Sequence, residues 1–216
     1  MAKLERYQPE TDELKAWLSS KEAELTQKTT IYRLKPIENA YEVPELDVFQ
    51  FADILGDEDL SLVRRQPRTN ESLLQKWTPS SCKLAAAYQQ GLPVPDISFW
   101  GSYLLFSAQA YTAFKNLLAN VGEFLALQVG DMQMHIFVPQ QFATEDTTRT
   151  LRHYEDGFEC GVKTLVFEPS SLANKAIFKS AMYGPHGLFV THSFKVIYNK
   201  HNFTGIAFDE DLAGIF

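Results

Sequence analysis

Several features are scarce in this chain of 216 residues. It has only two cysteines, Cys82 and Cys160, too few for a disulfide framework, so we expect both thiols to be reduced. No stretch approaches the ~18 consecutive apolar residues of a membrane helix. The opening segment "MAKLERYQPETDELKAWL" contains no apolar core typical of a secretory signal. These absences predict a cytoplasmic protein that does not enter a membrane.

Positive charge is also scarce. The chain has 20 Lys and Arg against 27 Asp and Glu, which gives a formal net charge of -7. Proteins that bind nucleic acids show a basic footprint, and no basic stripe interleaved with aromatic residues is present here. We therefore expect no nucleic-acid partner. The same charge balance favours a basic protein partner, because opposite charge accelerates docking.

Sequence motifs for nucleotides and metals are missing. Neither G-x-G-x-x-G nor G-x-x-x-x-G-K-[ST] occurs, and no two of the five histidines are spaced as in the helical zinc motif H-E-x-x-H. We predict no metal and no cofactor. His135 lies inside the apolar run "MQMHIFVP" and is expected to be a hydrogen-bonded core or sheet-face histidine.

One pair of residues keeps an enzyme as the alternative. Cys160 follows His153 by seven residues in "HYEDGFEC", and a Cys–His nucleophile pair meets in space rather than in sequence. A small cytosolic Cys/His hydrolase is therefore the second hypothesis. No Gly-rich segment for an oxyanion site lies nearby, so the leading interpretation is a protein without catalytic residues.

The chain is rich in the residues that build a core, with 45% hydrophobic and 13% aromatic residues. Residues 10–28 place Leu14, Trp17, Leu18 and Leu25 near one face, which predicts an amphipathic N-terminal helix. We divide the chain into an N-terminal helical segment, 1–30, and an α+β domain, 31–216. A regulatory or scaffold subunit that docks through the helix at 10–28 is a third hypothesis.

The middle of the chain predicts short elements. We expect a strand near Val48 to Phe51, a short helix after a capping Asn70, and a helix in "CKLAAAYQQG" that ends at Gly91. The two prolines of "LPVPDIS" require an extended segment. A candidate internal boundary is therefore placed near 91–97.

Two stretches repeat one pattern of a short apolar strand, a capping residue, an amphipathic helix and another strand. They are "SYLLFSAQAYTAFKNLLANVGEFLALQV", with Ser107 as the cap, and "LFVTHSFKVIYNKHNFTGIAF", with Thr191 as the cap. Gly130 and Asp131 predict a hairpin turn after the first stretch. The predicted fold class is α+β, with a mixed or antiparallel sheet flanked by helices, two strand–helix–strand units, and a preceding N-terminal amphipathic helix.

The order of these segments resembles a known family. "PDISFWGSYLLFSAQAYTAFKNLL", "GEFLAL", "LVFEPSSLANKAIFK" and "GLFVTHSFKVIYNKHNFTGIAF" resemble, in that order, an immunity protein family of bacterial polymorphic toxin systems, named for a myxobacterial immunity protein. The resemblance covers about residues 77–208. It implies a protein that neutralises a cognate secreted toxin, encoded by the adjacent gene, in the producing cell, and it implies no catalytic set.

Binding by such a protein requires an exposed surface, and the acidic clusters are the candidates. Acidic groups can occupy a basic cleft of the toxin, and aromatic side chains dominate many interfaces. The predicted toxin-binding residues are Asp53, Asp57, Glu58 and Asp59, which we call the first acidic cluster, and Glu155, Asp156 and Glu159, which we call the hairpin acids. A third cluster comprises Asp209, Glu210 and Asp211, and the candidate aromatic anchors are Trp100, Tyr103 and Tyr183.

Overall fold

A computed structural model describes residues 30–85 and 91–214. The N-terminal helix predicted at 10–28 lies outside the described residues. The strands are β1 (Ile31–Pro36), β2 (Ser80–Cys82), β3 (Ile97–Trp100), β4 (Tyr103–Ser107), β5 (Gly122–Val129), β6 (Met132–Pro139), β7 (Phe142–Ala143), β8 (Leu151–Glu155), β9 (Phe158–Thr164), β10 (Ile177–Ser180), β11 (Gly184–Thr191) and β12 (Ile206–Asp209). The α-helices are α1 (Val48–Leu55), α2 (Ser61–Thr69), α3 (Ala108–Leu118) and α4 (His192–Lys200), and a 3-10 helix spans Pro169–Leu172.

The strands form two mixed five-stranded sheets and a separate two-stranded hairpin. Sheet 1 has the order β12-β1-β11-β10-β7, and sheet 2 has the order β2-β5-β6-β4-β3. Each sheet is antiparallel except at one edge, where β7 joins β10 and β2 joins β5 in parallel. The remaining strands, β8 and β9, pair with each other as an antiparallel hairpin. The predicted α+β class with mixed sheets is confirmed.

The two predicted strand–helix–strand units are present, one in each sheet. In the first, β4 leads through α3 to β5, and β6 lies between the two strands and is antiparallel to both. In the second, β11 leads through α4 to β12, and β1 occupies the same central place. The first unit thus receives its central strand from the segment that follows it, and the second receives it from a distant N-terminal segment.

The helix caps follow the prediction in part. The Ser107 side chain accepts a hydrogen bond from the backbone N–H of Ala110 at 3.1 Å, as expected of an N-cap. Thr191 also occupies the N-cap position, but its hydroxyl lies 2.8 Å from the hydroxyl of Ser193 rather than on a helix amide. Both caps stand directly at the end of a strand, so strand and helix join without a loop.

A central core joins the two sheets through helices α3 and α4. Leu104 and Phe106 of β4 enter this core, while Tyr103 and Leu105 of the same strand enter a second core on the other face of sheet 2. Because both faces of β4 are buried, its sequence "YLLF" is continuously apolar rather than alternating. The same holds for β11, where Phe189 packs on the far side of sheet 1.

The outer faces of the sheets are covered differently. Helices α1 and α2 cover sheet 2, with Phe51 and Leu62 fully buried in its outer core. Sheet 1 is covered by the chain after β9, which contributes Leu165 and Phe167 from an irregular segment and Leu172 from the 3-10 helix. The base of the β8–β9 hairpin adds Val162 to this cover.

Three local predictions were wrong. Val48–Leu55 is a helix rather than a strand, because Asp47 and Gln50 form a capping box at its start. Asn70 ends α2 in the left-handed conformation and does not begin a helix. Cys82 closes strand β2, which pairs in parallel with β5, so a helix does not begin there; residues 86–90 of that predicted helix lie outside the described residues.

Candidate protein-binding surface

One residue of the first acidic cluster, Asp57, stabilises the fold rather than facing a partner. Asp57 is buried, and its carboxylate accepts hydrogen bonds from the backbone N–H groups of Leu62 at 3.1 Å and Val63 at 2.8 Å. These are free amides of the first turn of α2, so Asp57 stabilises a helix start. Asp59 is exposed, and the hydrogen bond from Ser61 lowers the pKa of its carboxyl. Asp57 is therefore unavailable to a partner, whereas Asp53, Glu58 and Asp59 are exposed.

Asp53 lines a cleft between α1 and the edge strand β2. The cleft holds about 950 Å³, and its polar lining includes Glu45, Gln50 and Lys83. Cys82 also faces it, and burial raises the pKa of the Cys82 thiol. Because residues of both charge signs line this cleft, its charge alone selects no class of ligand.

The hairpin acids lie on the β8–β9 hairpin, next to sheet 1 and apart from the first acidic cluster on α1 and α2. The chain reverses at Asp156 and Gly157, which both have positive φ, 49° and 82°. This is the geometry of a type I′ turn, for which Asp-Gly is a preferred sequence. This hairpin was not predicted, although the Asp-Gly pair between the two strands is a sequence signal for one.

The hairpin exposes large apolar side chains. Phe158 is 76% exposed, more than any other large hydrophobic residue in the part of the chain that the structure describes. Tyr154 and Leu151 are 56% and 52% exposed. Among the residues of the two strands only Val162 is buried. Single exposed apolar residues are common, but three on one small hairpin make it a candidate interaction surface.

Charged side chains surround these apolar groups. Arg152 forms an ion pair with Glu159 across the two strands. The His153 Nε2 lies 3.8 Å from a carboxylate oxygen of Glu155. Asp156 stands exposed at the turn. All three hairpin acids are therefore exposed, and the structure places them within one two-stranded element.

The third acidic cluster is mostly structural. Asp209 pairs with Lys35 at 2.5 Å and lies 3.6 Å from Arg33, and the Lys35 hydrogen bond lowers the pKa of its carboxyl. Asp211 accepts hydrogen bonds from the backbone N–H groups of Ala213 and Gly214 at 3.0 Å. The Asp209 contacts join β12 to β1, and the Asp211 contacts form a local turn of the C-terminal segment, whereas Glu210 is exposed.

The three aromatic residues predicted as anchors make contacts within the fold: Tyr103 is buried, and Trp100 and Tyr183 are partly buried. Trp100 donates a hydrogen bond to the carbonyl of Leu46 at 2.8 Å, and Tyr103 donates to the side chain of Gln66 at 2.8 Å. Burial raises the pKa of Tyr103. Tyr183 accepts a hydrogen bond from Arg33 and is half-buried. The exposed aromatics, Tyr154 and Phe158, were missed because their exposure depends on how the hairpin leaves the body.

Cys160 and His153, the candidate Cys–His pair, are not arranged as a nucleophile and its base. Cys160 is exposed on β9, and its thiol donates to the carbonyl of Phe158 at 3.4 Å. His153 pairs with Gly161 across the hairpin, and its Nε2 lies 3.8 Å from a carboxylate oxygen of Glu155. No hydrogen bond joins the sulfur to the imidazole. The two residues share an element but do not form a nucleophile pair.

A contact between a serine and a histidine elsewhere in the molecule was not predicted. Ser102 Oγ, in the turn between β3 and β4, lies 2.7 Å from Nδ1 of His186 on β11. Ser102 is only 6% exposed, so its hydroxyl is poorly accessible to a substrate. The contact links the first strand–helix–strand unit to the second, which is a structural role.

Histidine, cysteine and carboxylate side chains do not converge as metal ligands: within residues 30–85 and 91–214, no group of three or more could hold an ion. His135 lies partly buried in sheet 2, as expected, with its ring stacked on Tyr111 at 3.8 Å. Its buried Nδ1, however, has no hydrogen-bond partner among the described residues, because the neighbouring surface is an aromatic ring. Burial lowers its pKa. No helix in the described part of the chain is long and apolar enough to cross a membrane.

Comparison with known proteins adds no relative, because no family model and no curated protein matches the chain. The resemblance to the immunity protein family stays a prediction from the order of the sequence segments. The functional argument therefore depends on the geometry of the hairpin.

Proposed function

We propose that this protein is an immunity protein, which binds a cognate secreted toxin and neutralises it without catalysis in the cytoplasm of the producing cell. The observation that carries the proposal is the β8–β9 hairpin, whose apolar side chains Leu151, Tyr154 and Phe158 are more than half exposed. The proposed contact surface comprises these residues and the hairpin acids.

The exposed aromatic residues would supply the binding energy. Phe158 leaves 76% of its surface in water, and an aromatic side chain buries about 150–250 Å² when it is covered. Each Å² of apolar surface removed from water contributes about 25 cal/mol. Aromatic residues near the centre of an interface commonly become its hot spots. Tyr154 pairs with Glu159 and Phe158 pairs with Glu155, so the two aromatic side chains lie on opposite faces of the hairpin. A partner that covers Phe158 would therefore gain substantial affinity.

The charges of the hairpin suit a basic partner. Glu159 is offset by Arg152, whereas Glu155 and Asp156 remain exposed at the turn. The whole chain carries a formal net charge of -7. Such a field accelerates encounter with a basic surface and does little for a neutral one. A toxin with a basic cleft, such as a nuclease, fits this arrangement.

The test uses the product of the adjacent toxin gene, purified in an inactive form. We expect calorimetric titration to show a one-to-one complex. Phe158→Ala should weaken binding by about 30-fold, since a hot spot contributes about 2 kcal/mol. Phe49→Ala is the matched control, because Phe49 is 64% exposed on α1 and lies outside the hairpin.

Two outcomes would contradict the proposal. The first is the absence of binding together with a failure of the wild-type protein to protect cells from the toxin. The second is equal binding by the wild-type protein and the Phe158→Ala variant, which would move the interface away from the hairpin.

A further inference from the structure

We propose that the toxin is bound by strand addition: an extended segment of the toxin pairs with the open edge of β8 and lengthens the hairpin to three strands. This inference rests on the proposed function, and it adds the mode of recognition and the kind of surface the partner must present.

No strand of the described chain pairs with the outer edges of the hairpin. Strands β8 and β9 pair with each other and with no other strand of the described chain. Among residues 30–85 and 91–214, no backbone hydrogen bond joins β8 or β9 to another element; the two flanks of the hairpin bond to each other instead, as where the Asp146 N–H donates to the carbonyl of Val166 at 2.8 Å. An open strand edge presents unpaired N–H and C=O groups, which are a template for another strand.

The turn determines which backbone groups point outward. A two-residue turn at Asp156 and Gly157 is closed by the hydrogen-bonded pair Glu155 and Phe158. Successive residues of a strand then alternate between the partner strand and the outer edge. The outward N–H and C=O groups of β8 therefore belong to Arg152 and Tyr154.

The two edges are not equivalent. The register shifts between Leu151 and Arg152 and again between His153 and Tyr154, and both shifts place the extra residue on β9. The extra residues are Lys163 and Cys160. Bulges bend a strand and interrupt its edge, which is how natural sheets avoid unwanted pairing. Strand β8 has no extra residue over Leu151–Glu155, so its edge is the regular one.

The side chains of β8 indicate the composition of the added strand. Leu151 and Tyr154 are more than half exposed and can cover apolar side chains opposite them. The side chain of Glu155 is 69% exposed at the end nearest the turn. Opposite charges across a strand pair stabilise it, so the added segment should carry apolar residues with a Lys or Arg facing Glu155.

Proline scanning distinguishes strand addition from docking by side chains alone. Arg152→Pro removes an outward N–H, whereas Arg152→Ala removes the same side chain and keeps the N–H. With the inactive toxin as probe, we expect Arg152→Ala to bind within about twofold of the wild type and Arg152→Pro to bind at least about tenfold more weakly. On β9, Glu159→Pro and Glu159→Ala should bind alike. Equal binding by the two Arg152 variants, or a selective loss in Glu159→Pro, would overturn the assignment to β8.

Amide hydrogen exchange of the wild-type protein provides a second readout that needs no substitution at all. The Arg152 and Tyr154 amides should exchange rapidly in the free protein and at least about tenfold more slowly in the complex. A complex that depends on Phe158 but leaves both amides unprotected would overturn strand addition and leave the proposed function standing. Absence of any complex would overturn both. Concentration-dependent dimerisation that protects the same amides would assign the edge to a second copy of the chain.

Discussion

The backbone at Gly205 runs so close to β3 that no side chain fits between them. A Cβ atom there would overlap the carbonyl oxygen of Ile97 and lie 2.5 Å from the Pro95 side chain, and the φ of Gly205 is +108°. The contact is fastened by Asp96, whose carboxylate accepts hydrogen bonds from the Thr204 N–H at 3.0 Å and the Thr204 hydroxyl at 2.9 Å. The segments "PDIS" and "TGIAF" that carry part of the resemblance thus meet in the scaffold.

Gly205→Ala should therefore destabilise the protein strongly. We expect a loss of about 3 kcal/mol or more in the free energy of unfolding, because steric overlap adds to an unfavourable φ. Gly101→Ala is the matched control: Gly101 also has positive φ, but its Cβ would meet nothing within 4 Å, so a loss of about 1 kcal/mol is expected. Urea unfolding measures both, and equal losses would contradict the steric explanation.

Lys179 is the other residue whose environment is unusual. Its side chain is buried on β10, its amino group donates to the carbonyl of Pro67 at 2.7 Å, and it lies 4.9 Å from the centre of the Phe142 ring. Burial lowers the pKa of Lys179 from 10.5 to about 8. The amino group joins α2 to sheet 1, and keeping it charged inside the protein opposes folding.

Lys179→Met should consequently change the pH dependence of stability. Because the folded-state pKa is lowered, the charged lysine penalises the folded state fully below pH 8, and this penalty disappears as pH rises towards the unfolded value. The stability of the wild type relative to Lys179→Met should rise by about 2–3 kcal/mol between about pH 7 and about pH 10. Urea unfolding across this range measures it, and Lys175→Met, which removes a partly exposed lysine, controls for the loss of charge. A constant difference would contradict the buried charge.

At the scale of elements, α2 begins without a side-chain cap at the residue before it. Leu60 stands there in the left-handed conformation, and the first amides are satisfied instead by Asp57, three residues earlier. A carboxylate at this position also interacts favourably with the positive end of the helix. Asp57 thus belongs to the scaffold although it is part of the first acidic cluster.

Asp57→Ala should lower the free energy of unfolding by about 1–2 kcal/mol, the usual effect of removing an acceptor from a helix start. Glu58→Ala is the control, because Glu58 is exposed and adjacent, and it should change stability by less than about 0.5 kcal/mol. Thermal unfolding followed by circular dichroism compares the two variants. Indistinguishable melting temperatures would contradict the capping role.

In the β8–β9 hairpin, the turn could be predicted from the sequence and the pairing register could not. Asp156-Gly157 is a strong signal for a type I′ turn, so the existence of a hairpin could have been predicted. The register could not, because two bulges on β9 interrupt the alternation that sequence reading depends on. Glu155, Asp156 and Glu159 are exposed, as expected for acidic residues. The exposure of Tyr154 and Phe158 could not be predicted, because aromatic residues are more often buried.

At the scale of the whole molecule, the two strand–helix–strand units share one core. The rings of Phe114 on α3 and Phe194 on α4 lie 4.4 Å apart, and both are fully buried. Residues of β1, β4, β6 and β11 from the two sheets enter the same cluster. Neither unit buries its helix without the other, so the two sheets should unfold together.

Phe194→Ala tests this coupling. We expect a loss of about 3–5 kcal/mol, as for other large aromatic residues in a core. Tryptophan fluorescence, which includes Trp77 and Trp100 beside sheet 2, and far-ultraviolet circular dichroism should report one coincident transition. Val196→Ala on the same helix is the control, since Val196 is 47% exposed. Separate transitions by the two probes would contradict a shared core.

The sequence by itself determined the elements whose signals are local. The apolar runs of β4 and β11, the Ser107 cap and the Gly130–Asp131 turn depend on neighbours within a few residues, and each was predictable for that reason. The α+β class follows from them. Only the tertiary structure decided that β1, from the other end of the described chain, becomes the central strand of the second unit. It also decided that Trp100 packs against the outer core of sheet 2 while Phe158 is left in water. Burial depends on what packs against a residue from distant parts of the chain, and the residue's type and its near neighbours do not contain that information.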